Sequence, residues 1–199
     1  MLVKWSCPQM GGIFVPVHRS NPIVRNEATS GAKMKTLHRY AAATFAVLLN
    51  LSAAAQAAGN EGFLTFDGQE ASVESYTGKG DWLIVMMWAQ GCHVCNAEVE
   101  GYAQLHEAYA DEGARVLGIS VDGQADIDKA REFIRRHDVP FPNLIGEPQA
   151  AMRWYATQTG SRFLGTPTIL IYGPEGDLRA AQAGAVPPEV IDKFIAKNS

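Results

Sequence analysis

The stretch Trp88-Ala89-Gln90-Gly91-Cys92-His93-Val94-Cys95 decides how this sequence is read. Its two cysteines stand two residues apart. The run Trp82-Leu83-Ile84-Val85-Met86-Met87-Trp88 precedes them without alternation, which predicts a strand buried on both faces. Val99, Tyr102, Leu105, His106 and Tyr109 follow at three-to-four spacing. That spacing predicts a helix that starts at the cysteines and ends near Gly113, with His106 on its packing face. A thiol pair at a strand-to-helix junction has a physical meaning. The helix N-terminus offers free N–H groups and about half a positive charge, and both stabilise a thiolate. Cys92, in the first turn, is the expected attacking thiol. Cys95, one turn deeper, is the expected resolving thiol. A protonated His93 between them favours the Cys92 thiolate and a more oxidising couple.

Other uses of a cysteine pair fit less well. A zinc site needs two further ligands, and His106 is committed to packing. A purely structural disulfide across so short a loop constrains little chain. Glu98 lies three residues after Cys95, and helical side chains lean toward the N-terminus, so its carboxylate points back at the Cys95 turn. It reads equally as a proton acceptor for Cys95 or as an exposed acid complementing the helix dipole.

Outward from this centre the mature chain alternates strands and helices. Phe63–Phe66 is a short strand, Asp67-Gly68 a turn, and Ala71–Tyr76 the expected return strand. Strands follow over Arg115–Val121, Pro167–Tyr172 and Leu178–Ala183, and a short extended piece over Phe141–Leu144. Helices are expected over Ile127–Arg136, Gln149–Thr157 and from Pro187-Pro188 to Lys197. Gly101 inside the first helix costs about 1 kcal/mol against alanine and suggests a bend. The βαβ order gives a parallel centre, and the last hairpin adds an antiparallel edge. Thr166-Pro167 opens a strand after Gly165; propensity alone reads it as a trans, strand-initiating proline.

The N-terminal part has a different character. Residues 1–33 carry no sustained period and are read either as an upstream-start artefact, with Met34 as the true start, or as a disordered extended leader. Met34-Lys35-Thr36-Leu37-His38-Arg39, the apolar run Ala41–Leu51 and Ala55-Gln56-Ala57 have the layout of a secretory signal peptide over 34–57. Residues 58–199 then form one domain. Through Ala57 there are six Lys/Arg and one Asp/Glu; beyond it stand 11 basic and 20 acidic residues. An acidic domain without a basic cluster excludes nucleic acid as the expected partner. The sequence has three cysteines, and with Cys7 in the leader only Cys92 and Cys95 remain after 57. In an exported protein they can close on each other and leave no spare thiol.

Taken together, Trp88-Ala89-x-x-Cys92-x-x-Cys95-x-x-Glu98, Val116–Asp122, Gly165-Thr166-Pro167-Thr168 and Gly176-Asp177 resemble the thioredoxin-like TlpA family of exported thiol–disulfide oxidoreductases. The family includes the reductants of apocytochrome c thiols. The resemblance runs from about Phe63 to the C-terminus. It implies an α/β thioredoxin-like fold, a central mixed sheet flanked by helices, with an N-terminal β extension. It further implies Cys92 as nucleophile, Cys95 as resolving thiol, Pro167 in cis beside them, and Thr166 contacting the partner's backbone. Trp88 belongs to the motif's supporting residues. Glu98 matches the active-site acid of the cytochrome-maturation relatives. The buried Asp of cytoplasmic thioredoxin falls at Met86, so Glu98 gains weight as proton acceptor.

Three departures touch the rim of Cys92: Gly91 stands where the family usually has Trp, His93-Val94 replaces Gly-Pro or Glu-Pro, and Val99 rather than Pro follows Glu98. The segment Tyr155–Gly165 is also longer than usual. The expected partners are client proteins with disulfides and a membrane thiol reductant as electron donor. The protein is expected to act as a monomer in the periplasm or otherwise exported, and tethered there if the signal stays uncleaved. The chemistry calls for no cofactor and no metal. Two rival readings remain. A peroxiredoxin-like peroxide reductase would place Thr three residues before its cysteine, where this chain has Ala89. A copper-delivery module of the Sco type would use a three-residue cysteine gap and a later His.

Overall fold

The computed structural model describes residues 15–16, 62–109 and 113–199. Apart from Val15–Pro16, the expected leader and signal segments lie outside the described residues. In chain order the elements are β1 (Val15–Pro16), β2 (Phe63–Thr65), β3 (Glu70–Ala71), β4 (Trp82–Trp88), α1 (His93–Ala108), β5 (Ala114–Ser120), α2 (Ile127–Arg136), β6 (Asn143–Gly146), α3 (Pro148–Thr159), β7 (Thr168–Tyr172), β8 (Leu178–Ala183) and α4 (Pro188–Asn198). The strands form one mixed sheet in the order β1-β8-β7-β4-β5-β6-β2-β3. β4, β5 and β6 are parallel neighbours, and the remaining pairs are antiparallel. This is the thioredoxin-like α/β fold expected from the sequence, with the β2–β3 hairpin as its N-terminal extension.

The unbroken apolar run of β4 follows from its place at the centre. Ile84, Met86 and Trp88 face one core with Val99 and Tyr102 of α1, Phe133 of α2 and Ile191 of α4. Leu83, Val85 and Met87 face a second core with Trp154 and Tyr155 of α3. Successive strand side chains point to opposite faces. With helices on both, no position of β4 can be polar, and all seven residues are buried.

Two expected elements are corrected. The return strand is only Glu70–Ala71; the chain then turns through a short 3₁₀ helix, Val73–Ser75, which tucks Val73 into the second core. The extended piece at Phe141–Leu144 is a full sheet member shifted forward to Asn143–Gly146. It is held by β5 on one side and β2 on the other. Local pattern could not show this, because β6 is defined by its two neighbours. Gly101 has another reason than a bend. α1 continues through it, and a Cβ there would stand 3.0 Å from Pro188 Cγ, so the glycine admits the start of α4.

Trp88 is fixed from two sides. Its indole stacks on Phe133 at 4.2 Å between centroids and 17° between planes, and Nε1–H donates to Asn143 Oδ1 at 3.0 Å. Both groups pass over Gly118, where a Cβ would overlap Asn143 Oδ1 and lie 2.9 Å from Trp88 Nε1. His106 joins α1 to the sheet as Nδ1 accepts the Val116 N–H at 3.2 Å. Its place on the packing face agrees with the periodicity. Burial pushes its pKa below the ordinary imidazole value, with Glu107 pulling up and Arg115 pushing down.

Gly118→Ala should lower stability by about 1–3 kcal/mol in denaturant unfolding, because overpacking forces Trp88 and Asn143 apart. His106 gives a pH effect of defined sign. Its folded pKa lies below the unfolded one, so the unfolded chain takes up a proton first on acidification. Stability should be level above about pH 6.5, the ordinary imidazole value, and fall as the pH drops below it toward the folded pKa. His106→Asn, which keeps an acceptor but cannot titrate, should make that decline shallower in the same assay, His137 keeping its own share.

Candidate active site

β4 ends at Trp88, and the chain turns through Ala89-Gln90-Gly91 into α1. Cys92 N–H donates to Ala89 O at 3.1 Å, closing the turn. Cys92 is the N-cap of α1, with extended backbone at φ −77° and ψ 111°. Its Sγ takes the role usually played by a serine or aspartate oxygen, accepting the Cys95 N–H at 3.1 Å. A sulfur held there meets the positive end of the helix dipole. Cys92 and Cys95 are joined by a disulfide with their Cα atoms 5.2 Å apart. The two differ in access: Cys92 is half-buried, while Cys95 is wholly enclosed in the core.

The turn is held by two polar side chains. Asp122, just past β5, accepts the Gln90 N–H with both carboxylate oxygens, at 2.9 and 3.2 Å, and the Ser120 hydroxyl at 2.7 Å. Asn96 holds it from the helix side, donating to Gln90 O and Cys92 O. The sequence reading met Asp122 only as the end of the Val116–Asp122 motif and passed over Asn96. Both act through backbone atoms, and such contacts leave no periodic or motif signal.

The remaining expected site residues fall as follows. Thr166-Pro167 is a cis peptide, as the resemblance implied and against propensity alone. β7 pairs with β4 as Met87↔Thr168, so Pro167 reaches the sheet end where Trp88 leads into the cysteine turn. Pro167 is buried, and its carbonyl accepts the Gly184 N–H at 2.8 Å; Thr166 is half-buried. Met86 is buried in the core that also encloses Cys95, so β4 supplies no acid from that position. Glu98 is half-buried on α1. Burial raises the Tyr102 phenol far above its ordinary pKa, the Glu98 charge adds to this, and the bond to Val186 O partly offsets both. Tyr102 therefore stays protonated and donates to Val186 O at 2.8 Å. His93 and Val94 are exposed on the first turn. Gly91 is exposed as well, and a Cβ there would meet nothing within 4 Å. The approach to Cys92 is therefore open beside Gly91.

A cysteine pair at a helix N-cap, on a thioredoxin-like sheet with a cis-proline at the same end, defines a class of thiol-active proteins. The chain belongs to the AhpC/TSA family, whose model matches residues 51–181. It is similar to a peroxiredoxin of Ignicoccus hospitalis, 29% identical over 108 residues that make up 51% of this chain and 46% of that protein. The chain thus spans less than half of that relative's length. In fold it is similar to a thiol:disulfide interchange protein of the thioredoxin family from Chlorobium tepidum. There the TM-score is 0.57 at 22% identity, over 67% of this chain and 89% of the other. It is also similar to a secreted Mycobacterium tuberculosis disulfide oxidoreductase homologous to Escherichia coli DsbE, with TM-score 0.54 and 20% identity, over 67% and 92% of the two chains.

The unequal access of the two sulfurs has a direct readout. After reduction, iodoacetamide should label Cys92 first. In Cys92→Ser, Cys95 should label at least about tenfold more slowly, as expected for an enclosed thiol off the helix end. Peptide mapping by mass spectrometry checks both rates, and equal labelling would contradict the assignment of attacker and resolver.

Proposed function

We propose that this chain is an exported thiol–disulfide oxidoreductase of TlpA type that reduces disulfides in other proteins. The observation that carries the reading is the half-exposed Cys92 at the N-cap of α1, disulfide-linked to the enclosed Cys95 one turn deeper. In the dithiol form, Cys92 thiolate attacks one sulfur of a client disulfide. The client S–S bond breaks, a mixed disulfide forms, and the other client sulfur leaves as a thiolate that takes up a proton. Cys95, deprotonated, then attacks Cys92 Sγ. The mixed disulfide breaks, the second client thiol departs, and the Cys92–Cys95 disulfide remains. Two electrons have passed to the client. A membrane-borne dithiol donor returns them, since an oxidising compartment supplies no reductant of its own.

Several further roles belong to this reading. Glu98 accepts the Cys95 proton in the second step, a role open to it because Met86 stands where a buried acid would otherwise serve. Thr166, next to the cis-proline, bonds the backbone of the bound client, and His93 adds positive charge near Cys92 when protonated. An apocytochrome c with an oxidised haem-binding pair is the narrower client class. Export is supported by the signal-like layout of residues 34–57 and by a structural neighbour described as secreted. Among the described residues no helix is long and apolar enough to cross a membrane.

A second reading, peroxide reduction, draws on the peroxiredoxin name of a relative. Ala89 lacks the hydroxyl expected three residues before a peroxidatic cysteine. In addition, Cys95 stands ready to close a disulfide within the same turn. Cys95→Ser separates the two readings. It should accumulate mixed disulfides through Cys92 with client proteins when expressed with its full leader, as read by mass spectrometry under non-reducing conditions. Rapid peroxide loss with a Cys92 sulfenate and no captured client would favour the second reading and overturn the first.

A further inference from the structure

Asn96, the residue after Cys95, makes use of every hydrogen-bonding position on its side chain. Nδ2 donates to Cys92 O at 2.8 Å and to Gln90 O at 3.1 Å. Oδ1 accepts from Arg136 Nη2 at 2.6 Å and from His137 Nε2 at 3.0 Å. An amide offers two donors and two lone pairs. The orientation is settled by its partners: carbonyls only accept and a guanidinium only donates, so a flipped amide would face like against like. His137 therefore carries its proton on Nε2. Its ring lies 4.8 Å from Phe133, which stacks on Trp88 at the end of β4. The end of α2 is thus joined to the cysteine turn through one side chain.

We propose that Asn96 is a positioning residue that holds Cys92 at the N-cap and brings the cationic end of α2 to bear on its thiolate. The inference rests on the exchange reading above. Cys92 O takes two N–H donors, the helical Asn96 N–H at 3.1 Å and Asn96 Nδ2. Its peptide is thereby tied to the first turn independently of the disulfide. When the disulfide opens, that tie keeps Sγ on the Cys95 N–H and the helix N-terminus, where a thiolate is stabilised. Arg136 brings a full positive charge to the same amide from an exposed position. The charged groups facing His137 are Arg136, which lowers its pKa after burial does, and Glu100 of α1, which raises it. The tie needs an amide: a carboxylate keeps the acceptor half and loses both donors.

The test uses the full protein and its own dithiol. Asn96→Asp keeps the partner for Arg136 and His137 but sets a negative charge against two carbonyls beside Cys92. In a glutathione redox buffer, the equilibrium constant for reducing its disulfide should fall about tenfold, about 30 mV for a two-electron couple. The pH midpoint of the Cys92 thiolate, followed by ultraviolet absorbance, should move up. Arg136→Gln, on an exposed helix end, should move both quantities in the same direction by a smaller amount; it carries the test if the first variant does not fold. Wild-type values of both quantities in the folded variants, with any loss of stability shared equally by oxidised and reduced forms, would overturn the proposal. Failure of the exchange reading looks different. Cys95→Ser would then capture no client while the Asn96→Asp shift remained, and the positioning role would stand as a property of the dithiol.

Discussion

The bond from the Cys95 N–H to Cys92 Sγ is the interaction on which the site depends. It makes a cysteine the N-cap of α1. An N-cap side chain must hang over the first turn while its backbone stays extended. Both demands are met at the end of a buried strand, where Trp88 is locked by Phe133 and Asn143 and the next residues turn sharply. The strand cannot slide, because a shift of one residue would exchange its two cores. The sulfur is therefore placed by the packing of the whole sheet as well as by its own helix.

From that placement the difference between the cysteines follows. Residues at N-cap and N3 lie about one turn apart, so one sulfur stays at the surface and the other faces the core. Cys95 shares its core with Met86, Val99 and Tyr102, and none of these offers a base. The Tyr102 phenol is held protonated by burial and by Glu98. The acid closest in sequence is then Glu98 itself, one turn further along α1. The polar groups that hold the cysteine turn, Asp122, Asn96 and Asn143, come from the ends of three different elements. Asp122 and Asn96 tie backbone atoms of the turn to side chains of other elements, and Asn143 ties the Trp88 indole to Phe141 O.

The surroundings of Cys92 have a character of their own. Gly91 leaves the approach to Cys92 open, and Val94 is exposed beside it. Leu164 and Met152 are also exposed, in and near the long segment that leads to the cis-proline.

The central elements were legible from the sequence because they are set by local pattern. β4 is an apolar run without alternation, α1 has a helical period, and the cysteine spacing places one thiol above the other. His106 was assigned to packing by its period alone. The short edge pieces were not legible. β6 owes its register to β5 and β2, and the return strand of the first hairpin ends early because Val73 finds a place in the second core. The cis state of Pro167 goes against local preference, and only resemblance pointed to it. The holding roles of Asn96 and Asp122 were not legible because both bond main-chain atoms, which every residue has. The sequence by itself determined which atoms can do the chemistry, since that depends on residue type and spacing along one helix. Only the tertiary structure decided how those atoms are held, since Asp122 past β5 bonds Gln90, Arg136 at the end of α2 bonds Asn96 and Asn143 of β6 bonds Trp88, and only the folded chain brings these groups within hydrogen-bond reach.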